Sequence, residues 1–213
     1  VAAFNPEAAK ARYEKQLAAW KEAAAKAKAD GSKPAARRPQ PPTPPQESPN
    51  SPGTLYNGMI APLAPFAVRG AIWYQGESNA GNAKFYGLQL RTMIAEWRLD
   101  WKQQEFPFLF VQLPNFMAEQ KNPSETGGWP LIREQMLQTL AVPGTGMAVT
   151  NDVGEANDIH PKNKQEVGKR LAQWALAKVY GKDLPACGPL YKEMKKDGSS
   201  IVVSFDCAEG LAA

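Results

Sequence analysis

Gly70–Gly81 reads GAIWYQGESNAG, and the architecture turns on what this stretch forms. A run of four apolar or aromatic residues, Ala71 to Tyr74, passes abruptly into Gln75, Gly76, Glu77, Ser78 and Asn79. A short continuous apolar run bounded by turn-formers suits a strand buried on both faces, the usual strand of a parallel sheet. In such sheets functional groups collect just beyond the C-terminal strand ends. Here that place holds an amide, a carboxylate, a hydroxyl and a second amide.

Working outward, VRGAIWY (68–74), FPFLFVQL (106–113) and GMAVTND (146–152) all read as strands buried on both faces. Between and after them lie helical patterns over roughly 83–98, 130–141 and 163–180. Tyr86, Leu90, Met93, Ile94 and Trp97 mark the first, and Val167, Leu171, Trp174, Ala175 and Val179 mark the last. Strands alternating with helices predict an α/β fold with a largely parallel sheet covered on both sides. Gln75–Asn79 and Asp152–His160 then both fall beyond strand ends.

The flanks differ in character. Pro6–Asp30 is rich in Ala, Lys and Glu, with Tyr13, Leu17 and Trp20 on one helical face and Gly31 as a stop. Lys33–Gly53 is proline-dense, a linker or a surface-hugging loop of extended geometry. After Gly181, a Lys-Asp-Gly-Ser turn before the alternating IVVSF predicts a hairpin, which looks like the first piece of a β domain. Three segments result: 1–53, a helix and Pro-rich insertion; 54–182, the sheet-bearing domain; and 183–213, the start of a β-sandwich-like domain.

Composition excludes some functions. The 213 residues carry a net charge of +4, but residues 1–52 hold nine Lys or Arg against five Asp or Glu, and the remainder is neutral. The sheet-bearing body therefore has no basic surplus for phosphates, and no nucleic-acid partner is expected. No apolar stretch is long enough for a membrane span. Cys187 and Cys207 have neither CxxC spacing nor a Cys/His cluster, so no metal or other cofactor is expected. Two cysteines alone do not distinguish a disulfide from two thiols.

His160, in NDIHPKNKQEV, is the only histidine and so the sole candidate imidazole base. Pro161 biases it away from helix, and Asp158, two residues earlier, projects to the same side of an extended segment. From there it can orient the ring and stabilise imidazolium; Asp152 is a second acid near enough to substitute. Two readings of the opening stretch compete. In one, Gly76-Glu77-Ser78-Asn79-Ala80 is a nucleophile elbow with Ser78 attacking. In the other, Gln75 donates to an oxyanion, Glu77 serves as an acid, and Ser78 stands by. A third, non-catalytic reading makes Trp73, Trp101 and Trp129 sugar-stacking faces of a carbohydrate-binding module.

LYNGMIAPLAPFAVRGAIWYQGESNA, YGLQLRTMIAEWR, FPFLFVQLPNF and NDVGEANDIHPKNKQEVGKRLA, in this order, closely resemble the sialate O-acetylesterase family, within the SGNH (GDSL-like) hydrolases. The resemblance covers about Leu55 to Gly181. It implies a three-layer α/β/α sheet and hydrolysis of acetyl esters on sugars, typically sialic acids, by proteins that are periplasmic or secreted. It implies His160 as base with Asp158 or Glu77 as its acid, and an oxyanion or substrate-binding block containing Gln75, Gly76 and Asn79. The Asp-x-His spacing departs from the Asp-x-x-His of many SGNH enzymes, and related acetylxylan esterases use the Glu of QGE, so both acids stand as candidates. The family's nucleophile, a Ser in a Gly-[Asp/Gln]-Ser-Asn type motif, has no counterpart between Val1 and Asn57. It is expected upstream of Val1, leaving the sheet here incomplete and this piece alone inactive.

Overall fold

The computed structural model describes residues 4–32, 36–48, 51–122 and 127–212. Lys33–Ala35 and Pro49–Asn50 of the proline-dense stretch lie outside the described residues. The chain falls into two compact units, Val1–Pro65 and Phe66–Ala213.

In the first unit, α1 (Pro6–Ala29) starts where Asn5 accepts a hydrogen bond from the Ala8 N–H at 3.0 Å and Pro6 presets the first helical φ. Past its end Gly31 adopts φ +69°, a left-handed geometry that glycine enters without a Cβ penalty. No α1 residue is buried. The indole of Trp20 donates to the Ala36 carbonyl at 2.8 Å. Gln40 and Pro42 share a shallow depression with Ala9, Tyr13 and Gln16. The proline-dense stretch thus runs back along the helix face that carries Tyr13 and Trp20, the surface-hugging alternative of the two.

The second unit is built on a three-stranded parallel sheet, β1 (Ala71–Trp73), β2 (Phe108–Val111) and β3 (Thr145–Ala148), in that spatial order. The register pairs Ala71 with Phe108 and Phe108 with Thr145. One face therefore carries Trp73, Phe108, Phe110 and Met147. It packs against Tyr86, Leu90 and Ile94 of α2 (Tyr86–Asp100) and Ile132 and Met136 of α3 (Gly128–Thr139). The other face carries Val111 and Ala148, which meet Val167 and Leu171 of α4 (Lys164–Trp174). Gly146 on that face makes room for the Trp174 ring, since a Cβ there would lie 2.6 Å from a ring carbon. Helices on both faces make three α/β/α layers, as the alternating pattern predicts.

One strand departs from expectation. β2 is buried throughout, but Ile72 in β1 is 71% exposed. The cause is position: β1 lies at the sheet edge, and α4 packs over β2 and β3. The helix expected from about 83 also starts late. Glu77–Phe85 is wound as 3-10 turns kinked at Asn82, and the α-helix begins only at Tyr86.

Beyond α4, β4 (Leu190–Asp197) and β5 (Ser200–Asp206) form the expected antiparallel hairpin. Its two-residue turn, Gly198-Ser199, uses φ +59° at Gly198. The two cysteines are joined, Cys187 to Cys207, across the open end of the hairpin.

Candidate functional site

The connection after β1 is shaped by Gly76. It is buried with φ +149°, and a Cβ would lie 2.9 Å from the Met136 methyl and 3.3 Å from Ile132 and Tyr86. Both torsion and space demand glycine. The Tyr86 hydroxyl, on the first turn of α2, donates to the Gln75 carbonyl at 2.7 Å and lies 3.2 Å from Gln75 Oε1. Burial, and secondarily the Glu77 carboxylate, push this phenol up to about 12, so it stays a donor. Gln75 Nε2 donates to Asn79 Oδ1 at 2.8 Å, and Asn79 Nδ2 donates to Gln89 at 3.1 Å. Gln75, Gly76 and Asn79 are thus one interlocked block.

The connections after β2 and β3 are stitched together. Thr150 donates to the Gln112 carbonyl at 2.6 Å, Gly154 N–H to Asn115 Oδ1 at 2.8 Å, and Met117 N–H to the Ala156 carbonyl at 3.1 Å. Within this frame Asp158 accepts a hydrogen bond from the His160 N–H at 2.9 Å, and its same oxygen lies 3.8 Å from His160 Nδ1. That is ion-pair range, longer than a hydrogen bond. The fully buried Pro161 anchors the segment, while the His160 side chain is 81% exposed. Asn163 then caps α4 by accepting from the Glu166 N–H.

Asp152 does not serve His160. Arg170 grips both its oxygens at 2.6 Å and also holds Glu166 and the Val149 carbonyl. The guanidinium holds the Asp152 carboxyl below the usual carboxylate range. Glu77 is partly exposed and Ser78 exposed, and neither side chain makes a hydrogen bond or ion pair to His160 among the described residues. The structure therefore brings Asp158 to His160, and Gln75, Gly76 and Asn79 to one another, without a direct bond between the two groups. A link between their segments is the Lys164 ammonium, 4.7 Å from the centre of the Tyr74 ring.

Above the strand ends opens a cleft of about 1040 Å³. Ala80 borders it from the connection after β1, Asn115 and Phe116 from that after β2, Trp129 and Arg133 from α3, and Ala156 from the loop leading to His160. Phe116 and Trp129 are in contact with centroids 5.4 Å apart and planes tilted by 46°, and the Trp129 indole donates to the Pro114 carbonyl at 2.7 Å. Of the three tryptophans considered for sugar stacking, Trp129 lines this cleft. Trp73 packs edge-on against Trp97, and Trp101 stacks on Phe106, both in the aromatic core. A second cavity of about 440 Å³ lies between β3, α4 and residues 185–190. Its one charged group, Arg170, is already bound by Asp152 and Glu166.

Sequence reasoning missed Tyr86 as the clamp on Gln75, because its spacing announces only a core position. It also missed Arg133 and Phe116, which no motif marks. No cluster of three metal-ligating side chains occurs among the described residues, nor is any of their helices long and apolar enough to cross a membrane.

Comparison with known proteins adds an independent finding. The family model described as "Carbohydrate esterase, sialic acid-specific acetylesterase" matches residues 46–177. Mouse sialate O-acetylesterase is 37% identical over 160 residues, covering 66% of this chain and 29% of the mouse protein. The rat protein of the same name is 34% identical over 173 residues, 72% of this chain and 31% of its own length. A crystal structure of a carbohydrate acetylesterase from Xanthomonas citri superposes with a TM-score of 0.67 at 46% identity, covering 72% of this chain and 36% of that one. The chain spans roughly a third of the length of these relatives. With the polar blocks at the strand ends and the family model matched across most of the sheet-bearing region, the chain belongs to the sialic acid-specific acetylesterase family of carbohydrate esterases.

Proposed function

We propose that this chain forms part of the catalytic domain of a carbohydrate O-acetylesterase acting on sialate-type sugars. The observation that carries the reading is the single imidazole, His160, beside Asp158 in a braced loop at the C-terminal end of the sheet. His160 takes the proton of an attacking serine, Asp158 steadies the imidazolium, and the Gln75–Asn79 block with backbone N–H groups receives the oxyanion. His160 then returns the proton to the departing sugar hydroxyl, and water activated by the same ring releases acetate. The nucleophile is a serine of the Gly-[Asp/Gln]-Ser-Asn type carried on polypeptide outside these 213 residues. The exposed Ser78 hydroxyl, which makes no hydrogen bond to His160, supports its role as a bystander. Glu77 remains the competing acid. The Cys187–Cys207 disulfide supports an exported protein, since such bonds persist in oxidising compartments.

The test is esterase turnover on O-acetylated sialic acid by the full-length parent. His160→Ala should lower kcat roughly 10²–10⁴-fold, and Ser78→Ala should leave it near wild type. Loss of turnover in Ser78→Ala would instead establish Ser78 as nucleophile. If Glu77→Gln costs far more than Asp158→Asn, the acid is Glu77.

A further inference from the structure

Arg133 stands out in the cleft. Its Nη1 donates to Asn151 Oδ1 at 2.7 Å, and it has no carboxylate partner among the described residues. A guanidinium has five N–H donors, so most of its donors, and its charge, have no protein partner among the described residues. Arg170, close by in sequence to α4's cap, is by contrast saturated by two acids. Burial lowers the Arg133 pKa with no anion to offset it. An arginine in that condition gains from any anion that reaches it, because an N–H···carboxylate bond in a half-desolvated site is about twice as strong as a neutral one. Next to it in the same cleft stands the Phe116–Trp129 aromatic pair, a surface for the apolar face of a sugar ring.

We infer that Arg133 is the carboxylate-reading residue of the cleft, and that with Trp129 and Phe116 it selects acidic sugars over neutral ones. This rests on the carbohydrate esterase reading but deepens it, since nothing in the His160–Asp158 pair distinguishes a sialate from an uncharged acetylated sugar. The charge on the substrate is met by one side chain from α3, held in place by Asn151 from the loop after β3. Glu119 and Lys121 on the rim carry one charge of each sign and so supply no net preference of their own.

The test is equilibrium binding to this chain, followed by tryptophan fluorescence, of N-acetylneuraminic acid and of its methyl ester. The free acid should bind about ten- to a hundredfold more tightly than the ester. Arg133→Gln should bring the acid down to the ester's affinity while leaving the ester unchanged. Asn151→Asp retains the arginine but supplies it an internal carboxylate, and should abolish the same preference even if Arg133→Gln fails to fold. Equal binding of acid and ester by the wild type, no saturable binding of the acid, or a preference that survives Asn151→Asp would each overturn the inference. Binding needs no turnover, so the outcomes separate. An Arg133-dependent preference without His160-dependent esterase activity would sink the catalytic reading alone, and the reverse would sink this one alone.

Discussion

Tyr86 donates its hydroxyl to the Gln75 backbone carbonyl and lies within reach of the side-chain Oε1 of the same residue. Tyr86→Phe leaves the ring's packing intact but strips the donor from a carbonyl in a largely buried setting. The expected loss is about 1–3 kcal/mol, read as a lower denaturation midpoint. A Tm within a degree of wild type would show that water replaces the phenol. The Asp152–Arg170 pair makes a pH prediction. Its carboxyl is held below the usual range, so its contribution is present above the unfolded value and is lost as pH falls through the lowered folded value. Because the Asp152 side chain is 62% exposed, that contribution is at most about 1 kcal/mol. Asp152→Asn should therefore lower Tm slightly at neutral pH, and the gap should close only as the pH is taken below the usual carboxylate range. A gap that widens in acid would contradict the assignment. The single His, the Asp two residues before it and the Gln-Gly-Glu cluster were legible in the sequence, because residue type and proximity along the chain identify them. Arg133 and Tyr86 were not, because their importance lies in which groups they meet across 18 and 11 residues of chain.

At the scale of elements, β1 is short, lies at the sheet edge and shows Ile72 to solvent. An unpaired apolar edge invites pairing with another chain. Ile72→Lys should raise the monomeric fraction measured by light scattering. A wild type that is monomeric at high concentration would remove the basis for this expectation. The hairpin of β4 and β5 also exposes Tyr191, Met194 and Ile201, and two-stranded hairpins are marginal alone. The disulfide spans 20 residues around it. Cys207→Ser should speed amide exchange in β4 and β5 while Phe108–Val111 stay protected; unchanged hairpin protection would mean that packing suffices. The alternation of apolar runs and helical stripes made the element types readable. The late start of α2 was not readable, because it follows from the positive φ at Gly76 and the kink at Asn82.

At the scale of the molecule, every buried apolar side chain among the described residues belongs to Phe66–Ala213, and α1 buries none. Residues 66–213 expressed alone should thus unfold cooperatively with a Tm within a few degrees of the full chain. A non-cooperative or strongly lowered transition would show that the first 65 residues contribute to its core. The α/β class, the parallel sheet, the two polar blocks at strand ends and the family can all be read from the order of residues. Each of these follows from local periodicity and from the order of short motifs along the chain. Packing in space, by contrast, put Asp158 beside His160, joined the cysteines, laid the proline-dense stretch along α1 and left the cleft's Arg133 without a carboxylate partner among the described residues. Asp152 and Asp158 both precede His160 closely enough along the chain to serve it, with the extended segment favouring the second. Arg170, brought across from α4, pairs with the first and leaves the second beside the imidazole. That choice depends on distances in space, which spacing along a chain does not contain.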